Sequence, residues 1–279
     1  MTDRFLIIGG GIRLEKACEA LVSKGYTAEV YKGLTPLKTA VDNADIILLG
    51  LPMSKDDVFI ETDGDMKISI RDIAAMLTKK KLLLGGRLSE KTKALLDIYS
   101  VRWADYSKSE EFEILNAVPT AEGAIQIAME EFPFTIHSSK TVVTGFGKVS
   151  KALALRLKAL GSDCTVVARS AKSRAEAEAM GLAAADFSQL PTLAKSCHIL
   201  FNTVPAMVCD RSVLSHLSPA QGIIDLASKP GGVDLDAAKT FGVNVIWALG
   251  LPGKVAPATA GEIIQKTACS IARELKVQN

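Results

Sequence analysis

The chain has 279 residues, with 33 Lys and Arg against 31 Asp and Glu and a formal charge of +2. Charges this evenly balanced leave no overall attraction to nucleic acid or to a membrane surface. Apolar residues are 48% and charged residues 23%, an ordinary globular make-up, and a chain this long buries roughly three quarters of its unfolded surface without help from disulfides or metal.

The five cysteines, Cys18, Cys164, Cys197, Cys209 and Cys269, fall at no metal-ligand or redox spacing. Reduced, mostly buried thiols, no metal site and a cytoplasmic setting are therefore expected. The opening "MTDRFLIIGGG" reads as a first strand ending in glycines and not as a signal peptide. No apolar stretch reaches the roughly 18 residues that cross a bilayer.

In chain order, "RFLIIGG" has the continuous apolar character of a buried parallel strand. Leu14 to Lys24 has helical spacing, with Leu14, Ala17, Cys18, Leu21 and Val22 on one face. "AEVYKG", "ADIILLGLP", "KKLLLGG" and "VRWADY" follow as strands, and the acidic "ETDGDMK" as a solvated loop or hairpin. "NAVPTAEGAIQIAMEEF" predicts a long helix, with Thr120 after Pro119 as N-cap, Glu122 in its first turn and Pro133 ending it. It reads as a rigid bridge between domains, because no Gly/Ser-rich linker occurs.

A second strand–helix series begins at Lys140. "KTVVTGFG" is strand and turn, and Val149 to Leu160 a helix with Gly161 at its end. "DCTVVAR", "SCHILFNTVP", "GIIDLAS" and "VNVIWALG" are strands, "KSRAEAEAMG" a helix, and Ala260 onward a helical tail. Strands alternating with helices predict α/β architecture with parallel sheets.

"GFGKVS", Gly145 to Ser150, matches the dinucleotide fingerprint except for serine at the last glycine. The first glycine permits the tight turn, the second lets backbone approach a pyrophosphate, and the third position needs a small residue for helix–strand packing. Ser150 is small. Strand before, helix after and a further strand beyond give the fingerprint its meaning. An NAD-preferring fold carries Asp or Glu at the end of that further strand, about 20 residues on, to hold the ribose 2′-hydroxyl. Here the strand ends "VVARS". Arg169 and Ser170 suit a 2′-phosphate, with Lys172 and Arg174 adding charge, so the expected cofactor is NADP. The expected cofactor-binding set is Gly145, Gly147, Lys148, Val149, Arg169, Ser170, Arg174, Asn202, Thr203, Val204, Pro205 and Leu226. The "NTVP" turn enters because ligands sit at the carboxyl ends of strands in open α/β sheets.

"NAVPTAEGAIQIAM", "TIHSSKTVVTGFGKVSKALA", "NTVPAMV", "IIDLASKPGGVD" and "GLPGKVAPATAGEII" resemble the A subunits of dipicolinate synthase from spore-forming bacteria. The likeness is good over roughly 116–264 and looser before it; where that family has an acid after two glycines, this chain has Gly11. The resemblance implies two doubly wound parallel-sheet domains, as in D-2-hydroxyacid dehydrogenases. One is an N-terminal flavodoxin-like substrate or lid domain, 1–120, joined by the C-terminal helix 260–279. The other is a Rossmann NADP-binding domain, 121–259. It also implies NADP-dependent oxidation of dihydrodipicolinate to dipicolinate during sporulation, with a flavoprotein B subunit, by a homodimer or larger assembly. No nucleic acid or membrane partner is expected.

A dicarboxylate substrate needs cations, neutral donors and a base in a dry cleft. Arg87, Ser228, Lys229 and Lys254, with Ser54, are the expected substrate-binding residues, on segments that follow apolar strands. Lys229 and Glu122 are candidates for the catalytic group. The three histidines, His137, His198 and His216, read as structural or exposed, and "LGLPGKVAP" has no histidine where hydroxyacid dehydrogenases carry one. The alternatives are an NADP-binding docking or regulatory subunit without its own chemistry, and another NADP-dependent dehydrogenase of shikimate or 2-hydroxyacid type.

Overall fold

The computed structural model describes residues 3–277, so positions 1–2 and 278–279 of the ranges above lie outside the described residues. The chain divides into two compact units, one running to Asn116 and resuming at Ala256, the other Ala117–Val255.

The first unit runs β1 (Arg4–Ile8), α1 (Ile12–Ser23), β2 (Thr27–Val30), α2 (Leu37–Asn43), β3 (Ile46–Leu49), α3 (Ile70–Met76), β4 (Leu82–Gly85), α4 (Glu90–Ile98) and β5 (Arg102–Asp105). Its sheet has the order β2-β1-β3-β4-β5, all parallel, the flavodoxin-like winding. The strands are apolar throughout because both faces are covered. Leu6, Ile8, Ile47, Leu49 and Leu83 serve one core, and Phe5, Ile7, Ile46, Leu48, Leu82 and Leu84 the other.

Between Val58 and Ile70 the acidic segment forms a hairpin, with Ile60 N–H on the Ile68 carbonyl at 2.9 Å and an antiparallel bridge between Phe59 and Ser69. On α1 the buried face is Leu14, Ala17 and Leu21. Val22, expected on that face, is 54% exposed, because the covered stripe is narrower than the run of apolar residues.

The next helix, α5, spans Glu110–Glu131 and contains Pro119. It therefore starts well before Thr120, which is not its N-cap. Three glutamates, Glu110, Glu111 and Glu113, occupy the first turn and complement the helix dipole. Proline inside the helix forgoes one backbone bond, and the turns on either side carry it.

The second unit continues with β6 (Lys140–Thr144), α6 (Lys148–Ala159), β7 (Asp163–Val167), α7 (Ala171–Ala179), β8 (Ala183–Ala185), α8 (Leu190–Ser196) and β9 (Ile199–Asn202). Then come α9 (Arg211–Leu214), β10 (Gly222–Asp225), α10 (Leu235–Phe241), β11 (Asn244–Trp247) and α11 (Leu251–Val255). The order β11-β10-β9-β6-β7-β8, parallel throughout, is the Rossmann winding, with its switch point between β6 and β9. Val143, Phe201 and Ile224 face one core, and Val142, Leu200 and Ile223 the other.

The last helix, α12 (Pro257–Val277), belongs to the first unit and lies against α1. Lys266 pairs with Glu111 at 3.1 Å, Lys276 pairs with Asp3, and Arg102 Nη2 donates to the Leu275 carbonyl at 3.0 Å. The closest approach is at Gly261, where a Cβ would stand 2.5 Å from the Lys16 carbonyl carbon and 2.6 Å from Ala17 nitrogen. Helix backbone cannot retreat without parting the two helices, so Gly261→Val is expected to destabilise the first unit by about 2–3 kcal/mol or more. Chemical denaturation reads this directly, and a midpoint equal to wild type would refute the close packing.

All five cysteines are free, and four are buried. Burial pushes the Cys164 thiol up to about 11 and Cys197 up to about 12, so these thiols are protonated and inert near neutral pH. No helix among the described residues is long and apolar enough to cross a membrane.

Candidate functional site

The glycine turn lies at the carboxyl end of β6, beside the switch point. Gly145 has φ 87, a conformation that a residue with a Cβ adopts only with strain, and its N–H donates to the Val167 carbonyl at 2.8 Å. A Cβ there would meet Thr203 Oγ1 at 2.7 Å and Val204 Cγ2 at 3.1 Å. The structure thus brings the glycine turn against the "NTVP" turn.

Gly147 caps α6 without any side-chain hydrogen bond, and a Cβ on it would meet nothing within 4 Å. α6 begins here at Lys148, and the first turn of a helix, whose N–H groups have no intrahelical acceptor, is the kind of place that receives a pyrophosphate. Ser150 is fully buried and bonds the Gly147 carbonyl at 3.1 Å, so it does the helix–strand packing that the fingerprint's third glycine would do. Lys151 lies over the Phe146 ring at 5.1 Å and pairs with Glu176 at 2.8 Å, tying α6 to α7 beside the turn.

A buried polar network shapes the neighbouring loops. Asn202, at the end of β9, accepts from Thr144 Oγ1 at 2.6 Å and from Val204 N–H at 3.0 Å. Its amide donates to the Val204 carbonyl at 3.1 Å and to Asp225 Oδ1 at 2.7 Å. Asp225, at the end of β10, also accepts from Ala227 N–H and Gly232 N–H, each at 3.0 Å. Trp247 Nε1 donates to the Ala227 carbonyl at 2.9 Å. Asn202 is 0% and Asp225 3% exposed. Asn202 therefore sets the path of Thr203 to Pro205 from beneath, and Leu226 is held by its N–H on the Asn202 carbonyl at 2.8 Å. Asp225, Thr144 and Trp247 were not among the residues expected from sequence; the signal for Asp225 was an acid closing an apolar strand.

At the end of β7, Arg169 is exposed. Ser170 caps α7, accepting from Ser173 N–H at 3.1 Å and donating to Ser173 Oγ at 2.8 Å. Arg174 Nη1 donates to the carbonyls of Ala168 and Arg169, each at 2.9 Å. Arg174 thus fixes the backbone that presents Arg169, and the capped α7 terminus lies next to it. This edge has a guanidinium where an acid would bind a ribose hydroxyl.

Of the remaining expected residues, Lys229 is exposed and Ser228 half-buried in a turn closed by Gly231 N–H on the Ser228 carbonyl at 2.9 Å. Lys254 is exposed in the last turn of α11. Glu122 lies on α5, paired with Arg156 at 3.4 Å. In the first unit, Ser54 bonds Asp56 at 3.1 Å. Arg87 is exposed just past β4 with φ 55, and its N–H is held by Asp105 Oδ1 at 3.1 Å and Ser107 Oγ at 3.0 Å.

The histidines are engaged elsewhere. His198 Nδ1 accepts from Lys140 N–H at 2.9 Å, His216 Nδ1 bonds the Ser212 carbonyl at 2.8 Å, and His137 stacks its ring beside Gly161. A cavity of about 220 Å³ lined by Lys140, Asp163 and Cys197 opens at the amino ends of the strands, the wrong edge for a nucleotide.

Comparison with known proteins agrees with this geometry. The family described as the N-terminal domain of the dipicolinate synthase A subunit matches residues 4–107. That of the NAD binding domain of D-isomer specific 2-hydroxyacid dehydrogenases matches residues 120–220. The dipicolinate synthase A subunit of Bacillus subtilis is 37% identical over 169 residues, a stretch covering 61% of this chain and 57% of that relative's length. The crystal structure of the Bacillus subtilis dipicolinate synthase A chain superimposes with a TM-score of 0.89 at 26% identity, covering 100% of this chain and 98% of that one. That of the corresponding A subunit from Bacillus halodurans gives 0.87 at 26% identity, covering 96% and 97%. The second unit is an NAD(P)-binding Rossmann domain, and the chain is similar in sequence and in fold to dipicolinate synthase A subunits, whose N-terminal domain family it matches over residues 4–107.

Proposed function

We propose that the protein is an NADP-dependent oxidoreductase that oxidises dihydrodipicolinate to dipicolinate, acting with a flavoprotein B subunit during sporulation. The observation that carries the cofactor choice is exposed Arg169 at the end of β7, beside an uncapped α6 terminus. The name of the relatives supplies the product and implies a second polypeptide. When bound, the nicotinamide ring supplies the hydride acceptor. Gly145 keeps the turn tight, Gly147 leaves room for the pyrophosphate, and the first N–H groups of α6 face it. Arg169 meets the 2′-phosphate with aligned donors, backed by Arg174 and the Ser170 cap. Thr203, Val204 and Pro205 line the crevice from the β9 side. Ser228, Lys229 and Lys254 are proposed as carboxylate-binding residues within the second unit, and Arg87 as one within the first unit taken by itself. Aromatisation of the existing ring removes a hydride and a proton from adjacent carbons, and Lys229 is the preferred of the two candidate bases. Glu122 is already paired with Arg156.

NADP is expected to bind at least about tenfold more tightly than NAD, some 1.4 kcal/mol. Arg169→Asp should erase or invert the preference, because an acid repels the phosphate and accepts from a ribose hydroxyl. Calorimetric titration with both cofactors checks this, and equal affinities in the wild type would sink it. Turnover is tested with enzymatically generated dihydrodipicolinate and NADP, with and without the flavoprotein. Reduction of NADP by the chain alone marks an enzyme, and none in either mixture marks a docking protein without its own chemistry.

A further inference from the structure

Arg13, in the first turn of α1, carries a charge that the chain does not answer. Its Nε and Nη2 atoms are buried and meet no hydrogen-bond partner among the described residues. The residue as a whole is only partly buried, but two guanidinium nitrogens shut off from water without a partner are a penalty for a fold to keep, and buried polar atoms left open call for a reason.

The nearby acids are committed elsewhere. Asp63, from the acidic hairpin, accepts from Gly11 N–H at 2.8 Å and so places a carboxylate at the start of α1. Asp105 accepts from the N–H groups of Arg87, Leu88 and Ser107 and from the Ser107 hydroxyl at 2.6 Å. The Tyr106 hydroxyl donates to the Leu49 carbonyl at 3.1 Å.

A second cation stands close by. Burial pushes the Arg13 guanidinium below its ordinary value, Tyr106 opposes that, and the charge of Arg87 pushes it down further. Both arginines follow strand ends, Arg13 after β1 and Arg87 after β4. They thus sit at the carboxyl edge of the sheet, where open α/β folds take their ligands.

We propose that Arg13 and Arg87 form a carboxylate-binding site at the carboxyl edge of the first sheet, taking one carboxylate of a ring dicarboxylate. The planar guanidinium fork matches a carboxylate through two parallel bonds. A phosphate would draw on the free N–H groups of the α1 terminus, and Asp63 already occupies that terminus. This site deepens the function proposed above and rests on it for the identity of the ring.

The test uses the full chain saturated with NADP and pyridine-2,6-dicarboxylate as the probe. By calorimetry, Arg13→Met should weaken the probe about 30-fold or more, with Arg13→Lys between it and the wild type. NADP affinity should be unchanged. Melting of the ligand-free protein gives a second reading: Arg13→Met should raise the midpoint by a few degrees, roughly 2–4 °C, because an unpaired buried charge is gone. A lowered midpoint with unchanged probe affinity would make Arg13 a structural residue and overturn the site. Inorganic phosphate binding as tightly as the probe would overturn the carboxylate assignment. If Arg13-dependent binding is present but no NADP-linked turnover occurs with the flavoprotein, the reaction falls and the site stands. If turnover occurs and Arg13→Met binds the probe as the wild type does, the site falls and the reaction stands.

Discussion

Replacing Asp225 by alanine is expected to cost about 3–5 kcal/mol of stability and to weaken NADP at the same time. The carboxylate is 3% exposed and accepts from the Asn202 amide and from the N–H groups of Ala227 and Gly232. Truncation leaves three buried donors facing an apolar hole, each worth roughly 1–3 kcal/mol when unsatisfied. Relief from burying a charge offsets part of the sum, which is why the expected loss lies below the total. Asp225→Asn keeps an acceptor and should lose about half as much. The effect reaches the cofactor because the network fixes both loops of the crevice. Asn202 sets the path of Thr203 to Pro205, and Asp225 holds the turn from Ala227 to Gly232. A double-mutant cycle with Asn202→Ala should show coupling of about 1–3 kcal/mol, since both side chains belong to one network. Urea unfolding measures the three single variants and the double variant. Asp225→Ala within about 0.5 kcal/mol of the wild type would mean that water replaces the carboxylate and that the network does not organise the crevice.

The apolar strands of both sheets were legible because a parallel sheet buried on both faces needs continuous apolar runs, and "FLII", "IILL", "LLL", "TVV" and "GII" stand out as such. β8 was not legible. Its three alanines have no strand preference of their own, and pairing with β7 makes them a strand. The start of α5 was misread for a related reason. Pro119 looked like a boundary by local chemistry, and the acidic turn before it, which nucleates the helix earlier, reads equally well as a solvated loop. The glycine turn was legible because its glycines answer to backbone geometry, which local sequence encodes. Arg13 was not, because one basic residue after a glycine run looks like any surface arginine. Only the burial of its nitrogens and the engagement of Asp63 and Asp105 elsewhere set it apart, and those are tertiary facts. Asp225 lies between these cases: an acid ending an apolar strand was visible, but its partners sit on a different strand and in the following loop.

Gly145→Val and Gly147→Ala are expected to separate the two tasks of the glycine turn. At position 145 the backbone has φ 87, and a Cβ would stand 2.7 Å from Thr203 Oγ1 and 3.1 Å from Val204 Cγ2. A β-branched side chain there carries left-handed strain of roughly 1–2 kcal/mol together with overpacking of a similar size. The turn must open, moving the first N–H groups of α6 away from the pyrophosphate position and displacing the "NTVP" turn. NADP affinity should fall at least about 100-fold, some 2.7 kcal/mol, and the melting temperature should fall with it by roughly 5–10 °C. Position 147 differs in kind. Its backbone is extended, with φ −83 and ψ −167, and a Cβ would meet no protein atom within 4 Å. Gly147→Ala should therefore leave the melting temperature within about 1–2 °C of the wild type. Its methyl group would project into the space that a pyrophosphate needs for close backbone approach, so NADP affinity should still drop, by about tenfold or more. Calorimetry and thermal melting on the two proteins decide between the possibilities. If Gly147→Ala bound NADP as tightly as the wild type, the α6 terminus would not be the phosphate site, whatever Gly145→Val did to stability.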